Sequence, residues 1–169
     1  REKYLADPDY VAVPVTGLLD KGYIASRSAL ISENSTRASY AAGMPPGAEP
    51  RTAAISGEVM GTTHFVAADR LGNVASMTST VEGPFGSQLV AAGMVLNNEM
   101  TDFSLAPMKE GVLVANRPQP GKRPVSSMSP TIVYGPDGKP IFAVGAAGGK
   151  RIIMQVAKTL IAHLDWGMT

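Results

Sequence analysis

The sequence predicts an α+β chain, and three observations carry that prediction. Residues 1–33 and a stretch from about Gly149 to Trp166 repeat their apolar side chains at helical spacing. Residues 62–81 and 131–145 read as short strands joined by turn signals. Between the first helical region and the first strands lies a Ser-, Thr-, Gly-, Pro- and Ala-rich stretch, residues 34–60, in which no regular element can persist.

In chain order, Asp7-Pro8-Asp9 reads as a turn or helix start, because Pro suits a first helical turn. Thr16 stands where it could cap a second helix with the apolar stripe Leu18, Leu19, Tyr23, Ile24, Ala29, Leu30 and Ile31, with Gly22 as its weak point. Segment 34–60 exceeds the usual loop inside a compact domain, so it reads as a linker, a flexible functional segment or the approach to a processing site. Residues 63–68 and 74–81 flank the hairpin signal at 69–73, and Gly83-Pro84-Phe85-Gly86 ends the second strand. A short strand is expected at 94–96 and a Pro-rich basic loop at 117–125. Residues 131–134 and 140–145 flank the turn Gly135-Pro136-Asp137-Gly138. The last helix carries Ile152, Ile153, Val156, Leu160, Ile161 and Leu164 on one stripe, with Gly167 as its stop.

Composition excludes several function classes. The 169 residues are 44% hydrophobic and 17% charged, enough for a packed core. Fifteen basic residues against 14 acidic ones leave a net charge of +1, which argues against a nucleic-acid partner. No apolar run approaches the ~18 residues of a membrane span. With no cysteine, thiol nucleophiles, thiolate metal sites and disulfides are excluded, and two histidines, His64 and His163, make a multi-histidine metal centre unexpected. The chain opens at Arg1 and stops at Thr169 just past a helical pattern, so a piece of something longer, with an incomplete site, is expected.

Three polar clusters could carry chemistry. Thr62-Thr63-His64 precedes the first strand; a threonine hydroxyl needs a base, and an α-amine freed by cutting the preceding bond can serve, with a pKa of about 7.7–8.0. Taken locally, these are ordinary strand residues. In Asn97-Asn98-Glu99-Met100-Thr101-Asp102 the two acids stand three apart, share a face on a helical turn, and could hold an ammonium group; the plain alternative is a solvated acidic turn. In Lys122-Arg123-Pro124-Val125-Ser126-Ser127 hydroxyls beside cations could bind a carboxylate, or form a Ser/Pro loop. Gly145-Ala146-Ala147-Gly148-Gly149 opens the last helix, where backbone N–H groups suit an oxyanion, or simply make a tight turn.

Together and in this order, Thr62-Thr63-His64-Phe65, Gly72-Asn73-Val74, Leu96 to Phe103, Lys122 to Thr131 and Gly148 to Ile152 closely resemble the γ-glutamyltranspeptidase family. The resemblance implies an N-terminal-nucleophile (Ntn) hydrolase with an αββα sandwich, of which this chain holds part. Residues 1–61 are then the C-terminal end of the large subunit with its flexible tail, and residues 62–169 the N-terminal part of the small, catalytic subunit. It further implies self-cleavage of the Gly61–Thr62 bond, Thr62 as nucleophile, Thr80 as its support, and Gly148 and Gly149 as the oxyanion hole. Glu82, where many members carry Asn, faces the substrate α-amino group with Glu99 and Asp102, and Ser126 and Ser127 bind its α-carboxylate. The implied reaction is γ-glutamyl transfer or hydrolysis, from glutathione or a related amide to water, an amino acid or a dipeptide, without metal or organic cofactor. The remainder of both subunits is the implied partner, and the implied location is periplasmic or secreted. Two alternatives stay open: a related acylase acting on glutaryl-β-lactams or poly-γ-glutamate, and a truncated, non-catalytic homologue.

Overall fold

The computed structural model describes residues 1–55, 57 and 61–168. Its helices are α1 (Val15–Leu18), α2 (Lys21–Ser28) and α3 (Ile152–Leu164). Its strands are β1 (Thr62–Ala68), β2 (Val74–Thr80), β3 (Val90–Ala91), β4 (Met94–Val95), β5 (Met108–Lys109), β6 (Val112–Leu113), β7 (Thr131–Tyr134) and β8 (Pro140–Val144). Each consecutive pair of strands forms its own two-stranded antiparallel sheet. The mixture of helix and strand matches the expected α+β class. Chain contacts divide it into two compact units: Arg1–Ser56 with Phe103–Val125, and Gly57–Asp102 with Ser126–Thr169.

In the first unit the expected second helix is split. Thr16 lies inside α1 and caps nothing; Asp20 is the cap, its backbone extended and its carboxylate accepting the Tyr23 N–H at 2.7 Å. The physical reason is that Asp both tolerates the non-helical cap geometry and reaches the third residue of the new helix. No residue of α2 is buried; of the apolar stripe drawn through it, Tyr23 packs against Gly43. The buried apolar side chains here include Tyr4, Val11, Pro45, Phe103, Val114 and Ala115. A parallel bridge joins Thr52 to Val114, Leu105 N–H donates to Ile55 O at 2.7 Å, and Ile55 N–H donates to Ser104 Oγ at 3.1 Å.

The basic loop does not offer its cations to a ligand as the sequence suggested. Arg123 donates through Nε and Nη2 to both carboxylate oxygens of buried Asp7, at 2.9 and 2.7 Å, and reaches Asp9 at 2.6 Å. This guanidinium, with the Arg123 backbone N–H, holds the Asp7 carboxyl well below its usual range. Lys122 is buried, and its Nζ donates to Ala115 O at 2.6 Å, Arg117 O at 3.0 Å and Gln119 Oε1 at 3.3 Å. Burial and the neighbouring Arg117 push its pKa down. Both cations are therefore consumed in holding this unit together.

In the second unit β1 and β2 pair over seven residues, from Thr62 opposite Thr80 to Ala68 opposite Val74. Asp69 builds the expected turn: its carboxylate accepts Leu71 N–H at 2.8 Å, Asn73 N–H at 2.9 Å and the Asn73 amide at 2.6 Å. The same bonds lower its pKa. β7 and β8 pair from Thr131 opposite Val144, with an irregularity at Val133/Tyr134, and β2 packs against both. A 3-10 helical turn, Gly149–Arg151, leads into α3, of which Ile152 and Val156 are buried. Ile153, Ile161 and Leu164, on the predicted stripe, are exposed, as are Phe65, Val66 and Met77 on the β1–β2 hairpin. The part of segment 34–60 at residues 56 and 58–60, including the approach to Gly61, lies outside the described residues.

Candidate active site

All ten residues singled out for chemistry or cleavage fall in the second unit: Gly61, Thr62, Thr80, Glu82, Glu99, Asp102, Ser126, Ser127, Gly148 and Gly149. The open end of the β1–β2 hairpin gathers several of them. Thr62 begins β1, Thr80 ends β2, and their hydroxyl oxygens lie 3.4 Å apart across the ladder. Thr80 Oγ1 also accepts the Glu82 N–H at 2.8 Å, so one hydroxyl ties the first residue of β1 to the turn beyond β2. Gly61 is packed against that turn: a Cβ there would collide with Glu82 O, which is why this position suits only glycine.

Glu82 is buried and has a left-handed backbone, φ 72°, rarely adopted by a residue with a side chain. Asn98 holds it there. Its Oδ1 accepts Gly83 N–H at 2.9 Å while its Nδ2 donates to Glu82 Oε2, and its own N–H donates to Val81 O at 3.2 Å. Glu99 and Asp102 follow at once on a 3-10 turn, Glu99–Asp102, whose i, i+3 spacing aligns them as the sequence suggested. Burial, a hydrogen bond with Asp102 and the negative charges of Asp102 and Glu82 push the Glu99 carboxyl up to about 7. Its Oε1 is buried without a hydrogen-bond partner. Three acids thus crowd one place, an arrangement that a cation with N–H donors would relieve.

The second pair of loops leaves a different hairpin end. Because Thr131 pairs with Val144, the loop before β7, with Ser126 and Ser127, and the loop after β8, with Gly148 and Gly149, start side by side. Ser127 is buried and Ser126 exposed; Ser126 Oγ accepts the Met128 N–H at 3.2 Å. Gly148 (φ 130°) and Gly149 (φ 56°) take backbone conformations that side chains disfavour, so glycine is required for the chain to turn into the helix here. The hydrogen bonds of Thr62, Thr80, Glu82 and Asn98 do not reach these serines and glycines among the described residues. His64 instead reaches only the first residue of the loop after β8, Gly145. It lies two residues past Thr62 on the same face, hydrogen-bonds Thr78 Oγ1 through Nδ1 at 2.8 Å, and lays its ring against Gly145 so closely that no Cβ fits. Nothing in the sequence around His64 or Asn98 signals a task for either; only their partners reveal one.

Against known proteins, the profile of the family described as Gamma-glutamyltranspeptidase matches residues 1–169. The chain is 41% identical to the glutathione hydrolase proenzyme of Bacillus subtilis strain 168 over 180 aligned residues, which cover 99% of the chain and 29% of that relative. It is 36% identical to the acylase ACY 1 proenzyme of Pseudomonas sp. strain SE83, covering 97% of the chain and 27% of that relative. Among solved structures it is similar to the γ-glutamyltranspeptidase of Pseudomonas nitroreducens complexed with L-DON, at 41% identity and a TM-score of 0.56, covering 63% of this chain and 58% of that one. The chain spans less than a third of the length of the curated relatives it matches. Matched along its whole length by the family profile, the chain belongs to the γ-glutamyltranspeptidase family.

Proposed function

We propose that this chain is the junction of a γ-glutamyl transferase and hydrolase: residues 1–61 end the large subunit, and Thr62 opens the small one once Gly61–Thr62 is cut. With the rest of both subunits, its strands and α3 would complete the αββα sandwich. The observation that carries the reading is the hydroxyl pair Thr62–Thr80 at one hairpin end, next to three acids around Glu99.

In the unbroken chain the Thr62 nitrogen is an amide and cannot act as a base. After cleavage it is an α-amine, which takes the Thr62 hydroxyl proton as Oγ1 attacks the γ-carbonyl of the substrate. Backbone N–H groups of Gly148 and Gly149 stabilise the oxyanion of the tetrahedral intermediate. The intermediate collapses to a γ-glutamyl ester on Thr62, and the proton passes to the departing amine, which for glutathione is cysteinylglycine. Water, an amino acid or a dipeptide then takes the acyl group and Thr62 regains its proton. Glu82, Glu99 and Asp102 hold the substrate ammonium, and Ser126 and Ser127 its carboxylate.

The test uses the full-length protein. Incubation is expected to give two bands, the smaller beginning at Thr62, and release of aniline from a γ-glutamyl anilide. Thr62→Ala should remain one band; cleavage in that variant overturns the reading. Faster turnover of a glutaryl-β-lactam than of the γ-glutamyl anilide would move the protein to the acylase branch, and an uncut, inert product would mark a non-catalytic homologue.

A further inference from the structure

We propose that Asn98 is a positioning residue for the ammonium site: its amide clamps the Glu82–Gly83 turn onto the Glu99–Asp102 turn and so fixes the direction in which the carboxylates face. The proposal rests on the functional reading above and assigns a task to a residue that touches neither the nucleophile nor the reacting bond.

The hydrogen-bond network fixes which way the amide points. Gly83 N–H can only donate, so the atom 2.9 Å from it is Oδ1. That leaves Nδ2 toward the Glu82 carboxylate, with a second contact to Thr101 Oγ1 at 3.3 Å. The main chain of Asn98 is engaged as well. Its N–H donates to Val81 O at 3.2 Å, and its carbonyl accepts Thr101 N–H at 3.1 Å and the Thr101 hydroxyl at 2.9 Å. One residue therefore spans the end of β2, the turn after it, and the 3-10 turn that carries Glu99 and Asp102.

The clamp has a strain to hold. A non-glycine residue in the left-handed region is strained and persists only when its surroundings over-determine it. Glu82 is such a residue, and the bonds that hold it are Thr80 Oγ1 on its N–H and Asn98 on its carboxylate and on the next N–H. Without the amide, the turn is free to relax toward extended backbone. The Glu82 carboxylate would then swing away from Glu99, and the negative cluster that recognises an ammonium would open.

The experiment compares two donors on the full-length protein: a γ-glutamyl anilide, and a glutaryl anilide that lacks the α-ammonium. For Asn98→Ala the expected result is normal appearance of the two bands, a KM for the γ-glutamyl donor raised tenfold or more, kcat within about threefold, and little change with the glutaryl donor. The swap Glu82→Gln with Asn98→Asp puts the amide and the carboxylate back opposite each other, so it should recover part of the lost KM that each single change costs. Unchanged KM and donor selectivity in Asn98→Ala overturn the proposal. So does an equal fall in cleavage, kcat and both donors, which marks a purely structural role. If Asn98→Ala does not fold, the swap decides: KM no better than that of Glu82→Gln overturns the proposal. A wild-type protein that stays uncut and inert points instead at the functional reading beneath it.

Discussion

Thr62 and Thr80 face each other across the first rung of the β1–β2 ladder, with their hydroxyl oxygens 3.4 Å apart. On the proposed function, the contact places Thr80 where it would orient the Thr62 hydroxyl before and after cleavage. Replacing Thr80 by Val keeps the shape and the strand preference but removes the hydroxyl. Losing a hydrogen bond of this kind costs about 1–2 kcal/mol, or roughly five- to thirtyfold in rate. Thr80→Val is expected to slow both band formation and anilide turnover by such a factor, followed by gel densitometry and absorbance. Wild-type rates for both would remove Thr80 from the site.

Glu99 gives the site a pH signature. Its carboxyl is raised from 4.5 to about 7, so it is largely neutral below that pH and anionic above it. An ammonium ligand prefers the anion, so affinity for L-glutamate should rise as pH increases through about 7, with proton release on binding. Calorimetry in two buffers of different ionisation enthalpy reads this directly, and Glu99→Gln should flatten the profile. The sign for stability is the opposite one. A carboxyl whose folded pKa is raised contributes its full stability below pH 4.5 and loses it as pH climbs through about 7. The melting temperature of Glu99→Gln relative to wild type should therefore improve across that window.

Gly145 and His64 meet too closely for any added atom. Gly145→Ala is expected to destabilise the protein by about 1–3 kcal/mol, the usual range for overpacking. Shrinking the ring as well, in His64→Ala with Gly145→Ala, should recover part of that loss. A denaturant series on the four proteins of the cycle measures the coupling, and strict additivity would show that the two sites do not press on each other.

The ion pair of the first unit has its own acid limit. Arg123 depresses the Asp7 carboxyl, so the pair stabilises the fold above the ordinary Asp range near 3.8, and this contribution is lost as pH falls below it. Arg123→Met should lower the denaturation midpoint at pH 7, and the gap to wild type should narrow toward pH 2. A gap independent of pH would mean that the arginine acts through packing alone.

How much of this was legible in the sequence depended on which residues carried the signal. Asp69 to Asn73 and Gly135 to Gly138 announce their turns through side chains that bond their own backbone, and both hairpins stand where expected. Of the β3–β4 and β5–β6 hairpins, the sequence signals only the β4 strand. Their turns, Ala92-Gly93 and Glu110-Gly111, place Ala (φ 50°) and Glu (φ 53°) at a left-handed position where Asn or Asp is the usual cue. The stripe of α3 is plain in the sequence, yet only Ile152 and Val156 of the helix are buried, because periodicity says which face is apolar and not what covers it. Asn98 and His64 were invisible for a related reason: each acts through partners 15 and 14 residues away, fixed by tertiary pairing.

The register of β1 has one more consequence. Thr62 is the first residue of its strand, so a break on its N-terminal side falls just outside the seven-rung ladder and removes none of its rungs. Scission there would nick the polypeptide without unzipping the hairpin. The cut and uncut forms should then melt almost alike in this element, and what separates precursor from product there would be two new charged termini, a carboxylate on Gly61 and an α-amine on Thr62.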